Sequence, residues 1–277
     1  MNNTFNIQRL GLLLKRQWLE FGKIYLITLA VALGVIITFY WFSLYPYLIE
    51  KVKEPYNYRL NFREPLFVIF GFLFITVIAS SYFVHLGQKP KAIIDLMIPA
   101  STFEKFLASI FFTAILSTVS FLVIFYLTDL AFISKLRSVY HGVATESFNP
   151  ETGEKLTGEM FNLSYFFTRN YPENFTSIFL VAPFFITSIF LLGSIYFNKF
   201  HYIKTSICVM IFSGIWTWII VKAGQGLFEG KILIQHGGVM DVDNPKLWAE
   251  IGAFALMLLL TGIFWVITYV RLKEKEV

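Results

Sequence analysis

Hydrophobic positions in this chain come in unbroken runs. Six runs carry almost no charge inside them: Ile24–Tyr45, Pro65–Val84, Phe106–Thr128, Phe175–Phe197, Thr205–Val221 and Ile251–Val270, of 22, 20, 23, 23, 17 and 20 residues. A helix needs about 20 apolar residues to cross a hydrocarbon core of about 30 Å. Only structures that close their own backbone hydrogen bonds persist there, so the runs predict helices. The pattern predicts an all-α, polytopic integral membrane protein with six transmembrane helices in a single domain, 1–277. Its chemistry must lie in the connections or between the helices.

The connections differ in character. In residues 5–21, Ile7, Leu10, Leu14, Trp18 and Phe21 recur at helical spacing, with Arg9, Arg16, Glu20 and Lys23 on another face. This pattern predicts an amphipathic helix lying on the inner membrane surface before the first span. The alternative is a cytoplasmic extension of that span. Segment 85–105 is the most structured polar connection. Gly87 and Pro90 end the second span, a short apolar stretch around Asp95 (92–98) follows, and Pro99 stops it. Ser101 then caps the third helix, and Glu104 three residues later completes a capping box. The long loop 129–174 holds the turn Asn149-Pro150-Glu151-Thr152-Gly153, and its flanks Val143–Thr145 and Lys155–Thr157 predict a small hairpin. Pro183 falls inside the fourth span, and Leu227–Gln235 is apolar enough to dip into the outer interface.

Charge orients the array. With the N-terminus inside, the inner segments 1–23, 85–105, 198–204 and 271–277 hold 12 Lys and Arg in 58 positions, against 11 in 94 outside. Acidic residues divide five inside to thirteen outside. Both termini are therefore expected to be cytoplasmic, in a cell inner membrane. The basic inner face predicts contact with anionic lipid and not with nucleic acid. The N-terminal segment lacks the short apolar core and small-residue cleavage site of a signal peptide, so none is expected.

Several chemistries are not signalled. The four histidines are scattered without metal-ligand spacing, and Cys208 is the single cysteine. No phosphate-binding loop of the GxxxxGK[ST] type occurs. No catalytic, cofactor or metal residue is predicted, and no enzyme activity of the chain itself. Ionisable residues lie at span ends, as Asp129 and Lys222 do, which argues against a coupled secondary transporter.

Residues 95–107, Asp-Leu-Met-Ile-Pro-Ala-Ser-Thr-Phe-Glu-Lys-Phe-Leu, resemble the segment between the second and third spans of permeases of the type-2 ABC exporter family. There a leucine-rich stretch precedes Leu-Pro-x-Ser-Arg-x-Glu. Pro99, Ser101 and Glu104 match it, whereas Thr102 stands in place of Arg, and Ala108-Ser109 in place of a common Gly-Lys. The resemblance spans about 13 residues. The inner-face helix, the six runs and the 227–235 segment occupy the places that family would give them, while the 129–174 loop is long for it. The resemblance implies a permease that docks a separate ABC-type ATPase and works as a homo- or heterodimer of permeases. Lys91, Ile94, Asp95, Leu96, Met97, Ile98, Pro99, Ser101 and Glu104 would form or support the docking segment, with Lys89 on its polar rim. The competing reading is a membrane scaffold or accessory subunit that transports nothing.

Overall fold

The computed structural model describes residues 5–49, 62–87, 93, 95, 97–139, 146–148, 155–157, 176–197, 199–228 and 243–275. Helix α1, Ile7–Leu48, is a single element of 42 residues. Asn6 caps it with an extended backbone, its side chain accepting from the Gln8 N–H at 2.9 Å. The expected separate helix over 5–21 is thus the first part of α1. Nothing at the junction breaks the helix: Gly22 is the weakest helix former there, and its Cα faces the Trp18 indole. At 1.5 Å per residue the rod is about 60 Å long, twice the hydrocarbon thickness, so part of it stands outside the apolar layer.

Helix α2, Arg63–Tyr82, follows, and a 3-10 turn, Val84–Gly87, ends it. Helix α3, Thr102–Ile110, starts at the expected capping box. The Glu104 N–H donates to Ser101 Oγ at 3.2 Å, and the Ser101 N–H to Glu104 Oε2 at 2.9 Å. A π-helical segment, Phe111–Leu116, joins α3 to α4, Ser117–Val139, without a break. Strands β1, Glu146–Phe148, and β2, Lys155–Thr157, form the expected hairpin, antiparallel with Ser147 opposite Leu156. The first strand lies three residues later than the sequence suggested. Helices α5, Thr176–Tyr196, α6, His201–Phe228, and α7, Asp243–Lys275, complete the fold. Phe200 turns the chain between α5 and α6 with φ 56°.

Among the described residues, five helical segments are long and apolar enough to cross a membrane: Ile7–Pro46, Arg63–Leu86, Thr102–Leu136, His201–Ile219 and Ile251–Lys275. Within α5 the corresponding stretch, Leu180–Tyr196, is shorter. The protein is an all-α multi-pass membrane protein apart from the small hairpin. Several helices outlast their apolar runs: α4 ends at Val139 instead of Thr128, and α7 begins at Asp243 instead of Ile251. Helical hydrogen bonding continues where the side chains turn polar. Of the 227–235 segment, Leu227 and Phe228 finish α6, and the rest lies outside the described residues.

An aromatic core runs between α1, α2 and the α3–α4 rod. Tyr25, Tyr40, Phe74, Phe121 and Phe125 are all buried in it. Phe67 meets Phe125 edge-on at 4.9 Å, and Phe74 stacks on Phe121 at 6.1 Å. Such pairs add about 0.5–1.5 kcal/mol each beyond area burial. In the second group, α5 packs most extensively against α7, and α2 links the two groups. Gly193 lets α5 approach α6 where Thr205 crosses it. Phe103 and Phe106 touch Tyr269, so the described start and end of the chain lie at one end of the bundle. Residues 211–219 of α6 are all exposed.

Candidate functional site

The polar contacts of the described residues concentrate at the end of the bundle that holds the chain N-terminus. Glu104 is fully buried there. Its Oε1 accepts from the Asn6 N–H at 2.8 Å and from Arg9 Nη2 at 3.1 Å, while Oε2 accepts from Ser101. One carboxylate thus joins the first turns of α1 and α3. Three donors on one buried carboxylate are what its desolvation requires. The spacing Ser-x-x-Glu foretold the cap but not Asn6 and Arg9, which lie 98 and 95 residues away.

The connection between α2 and α3 is held by a second contact. Met97 N–H donates to Ile93 O at 3.2 Å and Ile98 N–H to Asp95 O at 3.2 Å, closing a single helical turn. Lys105 Nζ donates to Asp95 O at 2.9 Å and reaches Asp95 Oδ2 at 3.4 Å. His85 Nε2 lies 4.0 Å from Asp95 Oδ1. Lys105 sits one residue past Glu104, so α3 grips the α2–α3 connection and α1 with adjacent side chains.

The expected docking residues divide accordingly. Ile98 is buried against Leu13 and Ala108, so it anchors the turn and is not a surface contact. Glu104 is likewise interior. Asp95 is half-buried and engaged by Lys105, and Ser101 is half-buried in its cap. Met97 is 78 % exposed and Ile93 59 %, and Pro99 is exposed beside them. Lys89, Lys91, Ile94 and Leu96 lie outside the described residues. Beside this turn a cleft of about 430 Å³ opens, lined by Arg16, Gln17, Tyr82, His85, Asp95 and Ile98.

The supposed membrane face of residues 5–21 also divides. Leu10, Leu14 and Phe21 face the protein, together with Leu13, which the sequence reading passed over. Ile7 is exposed, and Trp18, partly exposed, sits 5.9 Å from Tyr25 and 6.3 Å from Phe112. The inward stripe 10, 13, 14, 17, 21 follows a helix packed on α3 and α2. Residues 7 and 18 fall beside that stripe, so the apolar positions do not form one lipid face.

A second polar cluster lies at the opposite end. Arg63 and Asp129, each 3 % exposed, form a two-pronged pair: Nε donates to Oδ1 at 2.8 Å and Nη2 to Oδ2 at 2.6 Å. The Tyr40 hydroxyl donates to the same Oδ1 at 2.6 Å. The cluster joins α1, α2 and α4. Asp129 is therefore paired with an arginine in this structure. Between the two ends, Tyr25 donates to Ser120 Oγ at 2.7 Å, again linking α1 to α4. No group of three or more potential metal ligands occurs among the described residues.

Comparison with protein-family models, with curated proteins and with solved structures finds no match. The class that the fold defines is a multi-pass, all-α membrane protein, and the particular reading rests on the geometry around the starts of α1 and α3.

Proposed function

We propose that this chain is the membrane-spanning permease subunit of an ATP-binding-cassette exporter of the type-2 class. In this reading α1, α2, the α3–α4 rod, α5, α6 and α7 are six spans, and both termini are cytoplasmic. The chain forms the path and hydrolyses nothing itself. A separate ATPase docks on the α2–α3 connection, and two permease subunits work as a pair.

The observation that carries this reading is the double grip of α3. Asp95 is held by Lys105, and Asn6 and Arg9 by Glu104. A load on the exposed Ile93 and Met97 would pass through these contacts into two rods that run the length of the bundle. A partner can shift a two-state membrane equilibrium only by engaging rigid elements, and this connection is tied to two of them. The bare apolar residues of α6 suit contact with lipid or a second permease.

The test is purification of the full-length chain in mild detergent from its host, with identification of co-eluting proteins. A stoichiometric soluble ATPase is expected, and Ile93→Glu with Met97→Glu should release it while leaving the thermal melt of the permease unchanged. Asp95 is left intact in this variant, because it secures Lys105. Elution without any ATPase would favour the scaffold reading, and full binding to the double variant would refute the docking face.

A further inference from the structure

A cavity of about 490 Å³ lies between α2, α4 and α5 within one subunit, away from both polar clusters. Its wall includes Val68 and Gly71 of α2, Thr118 and Phe121 of α4, and Leu180 and Pro183 of α5. Volume and lining are those of a small-molecule site. Leu180, at its rim, is 69 % exposed, so the cavity communicates with the surroundings of the bundle, which in a membrane are hydrocarbon.

One atom in this wall is out of place. Other span hydroxyls bond back along their own helices: Thr113 to Ser109 O at 2.7 Å, Thr128 to Ile124 O at 2.8 Å, Thr268 to Phe264 O at 2.7 Å. Thr118 Oγ1 is buried and has no hydrogen-bond partner among the described residues. The carbonyls three and four residues before it, Ile115 and Ala114, belong to the π-helical segment, where the turn is wider. Segments of this kind occur often at functional sites. A buried hydroxyl without a partner costs free energy, which an occupant able to hydrogen-bond to it would recover. Water fits poorly, since it needs two to four polar partners and among the described residues Thr118 supplies the one polar side chain of the lining.

We infer that this cavity is a binding site for an uncharged, mostly hydrocarbon molecule bearing one oxygen that accepts a hydrogen bond from Thr118. Thr118 lies twelve residues past Phe106 and ten before Thr128, the two ends of the apolar run, about 18 and 15 Å of helix. That depth is far from the surface layer where phospholipid esters sit, so the whole molecule lies inside and is not the tail of a lipid anchored at the interface. Gly71 keeps α2 close to α4: a Cβ there would come within 2.8 Å of the Phe121 ring that forms one wall. The site belongs to a single subunit and does not rest on the permease reading. Its ligand is either a resident membrane constituent or a transient cargo of the same chemistry.

The experiment uses the full-length protein in phosphatidylcholine nanodiscs, photolabelled with hexadecan-1-ol carrying a mid-chain diazirine. Saturable labelling of the 67–75, 118–122 and 180–184 segments is expected. Hexadecan-1-ol should compete roughly three- to tenfold better than hexadecane, the range one net hydrogen bond gives. Thr118→Val should abolish that preference, and Val68→Trp should suppress the labelling by filling the cavity. The melt of ligand-free Thr118→Val should be unchanged or raised, since a hydroxyl without a partner has been removed. Equal competition on the native protein, a preference that survives Thr118→Val, or unsaturable labelling spread over lipid-facing positions overturns the proposal. So does a lowered melt of Thr118→Val, which would reveal a protein partner for its hydroxyl. Recovery of such a molecule in an organic extract of the purified protein marks a resident constituent, and binding only on addition marks a cargo; either outcome keeps the site.

Discussion

Asp129→Leu is the single change with the largest expected effect on stability. It leaves the Arg63 guanidinium inside a cluster where both groups are 3 % exposed, with its two short contacts of 2.8 and 2.6 Å gone. Breaking a buried pair from one side costs about 3–5 kcal/mol, because the remaining charge loses its counter-ion. Arg63→Met leaves the carboxylate with Tyr40, and should cost about 3 kcal/mol by the same reasoning. The two changes together remove both charges, and the loss should fall to within about 1–2 kcal/mol of the native protein. Tyr40→Phe isolates the third contact, a hydrogen bond to a charged group worth about 1.5–3 kcal/mol. Reversible unfolding in mixed micelles of mild and denaturing detergent reads each difference, and the four proteins form a double-mutant cycle. Single variants that cost less than about 1 kcal/mol, or a double variant that costs the sum of the two, would refute the buried pair.

Two further predictions address helix contacts. Gly193→Ala should lower stability by about 1–3 kcal/mol, because its Cβ would overlap the Thr205 side chain. Thr205→Ala in the same protein should restore most of the loss, and a melt that fails to recover would place the clash elsewhere. Ser101→Ala should cost about 1 kcal/mol through the lost cap. Glu104→Ala should cost more than that, since it also removes the shared acceptor of the Asn6 N–H and Arg9, and equal effects of the two variants in the same unfolding assay would contradict the bridge to α1.

Local features were legible in the sequence because their causes are local. The apolar runs located the helices, and Ser101 and Glu104 marked the start of α3 in advance. The Asn149–Gly153 turn placed the hairpin to within three residues. What escaped was set by neighbours distant in the chain. Arg63 lies just before the second apolar run and Asp129 just after the third, and nothing between them announces a pair 66 residues apart. Residues 5–21 read as a lipid-facing helix because periodicity reports that a stripe is apolar, not what covers it. Here α3 and α2 cover Leu10, Leu13 and Phe21. Ile98 looked like a contact for a partner for the same reason, and its burial against Leu13 could not be read from composition. Thr118 resembled every other span hydroxyl, and its lack of a partner is visible only once the helices are packed.

Helix α1 and the α3–α4 rod run parallel and are fastened three times: by Glu104 near their starts, by Tyr25 midway, and by Tyr40 through Asp129 at the far end. Two beams pinned at separated points along their length cannot slide or splay independently. They behave as one lever, and a tilt applied at either end appears at the other with its sense preserved. The seam where α2 meets α5 lies outside the fastened pair. That seam borders the cavity holding Thr118, so a molecule lodged there would bear on the lever and on α5 at once.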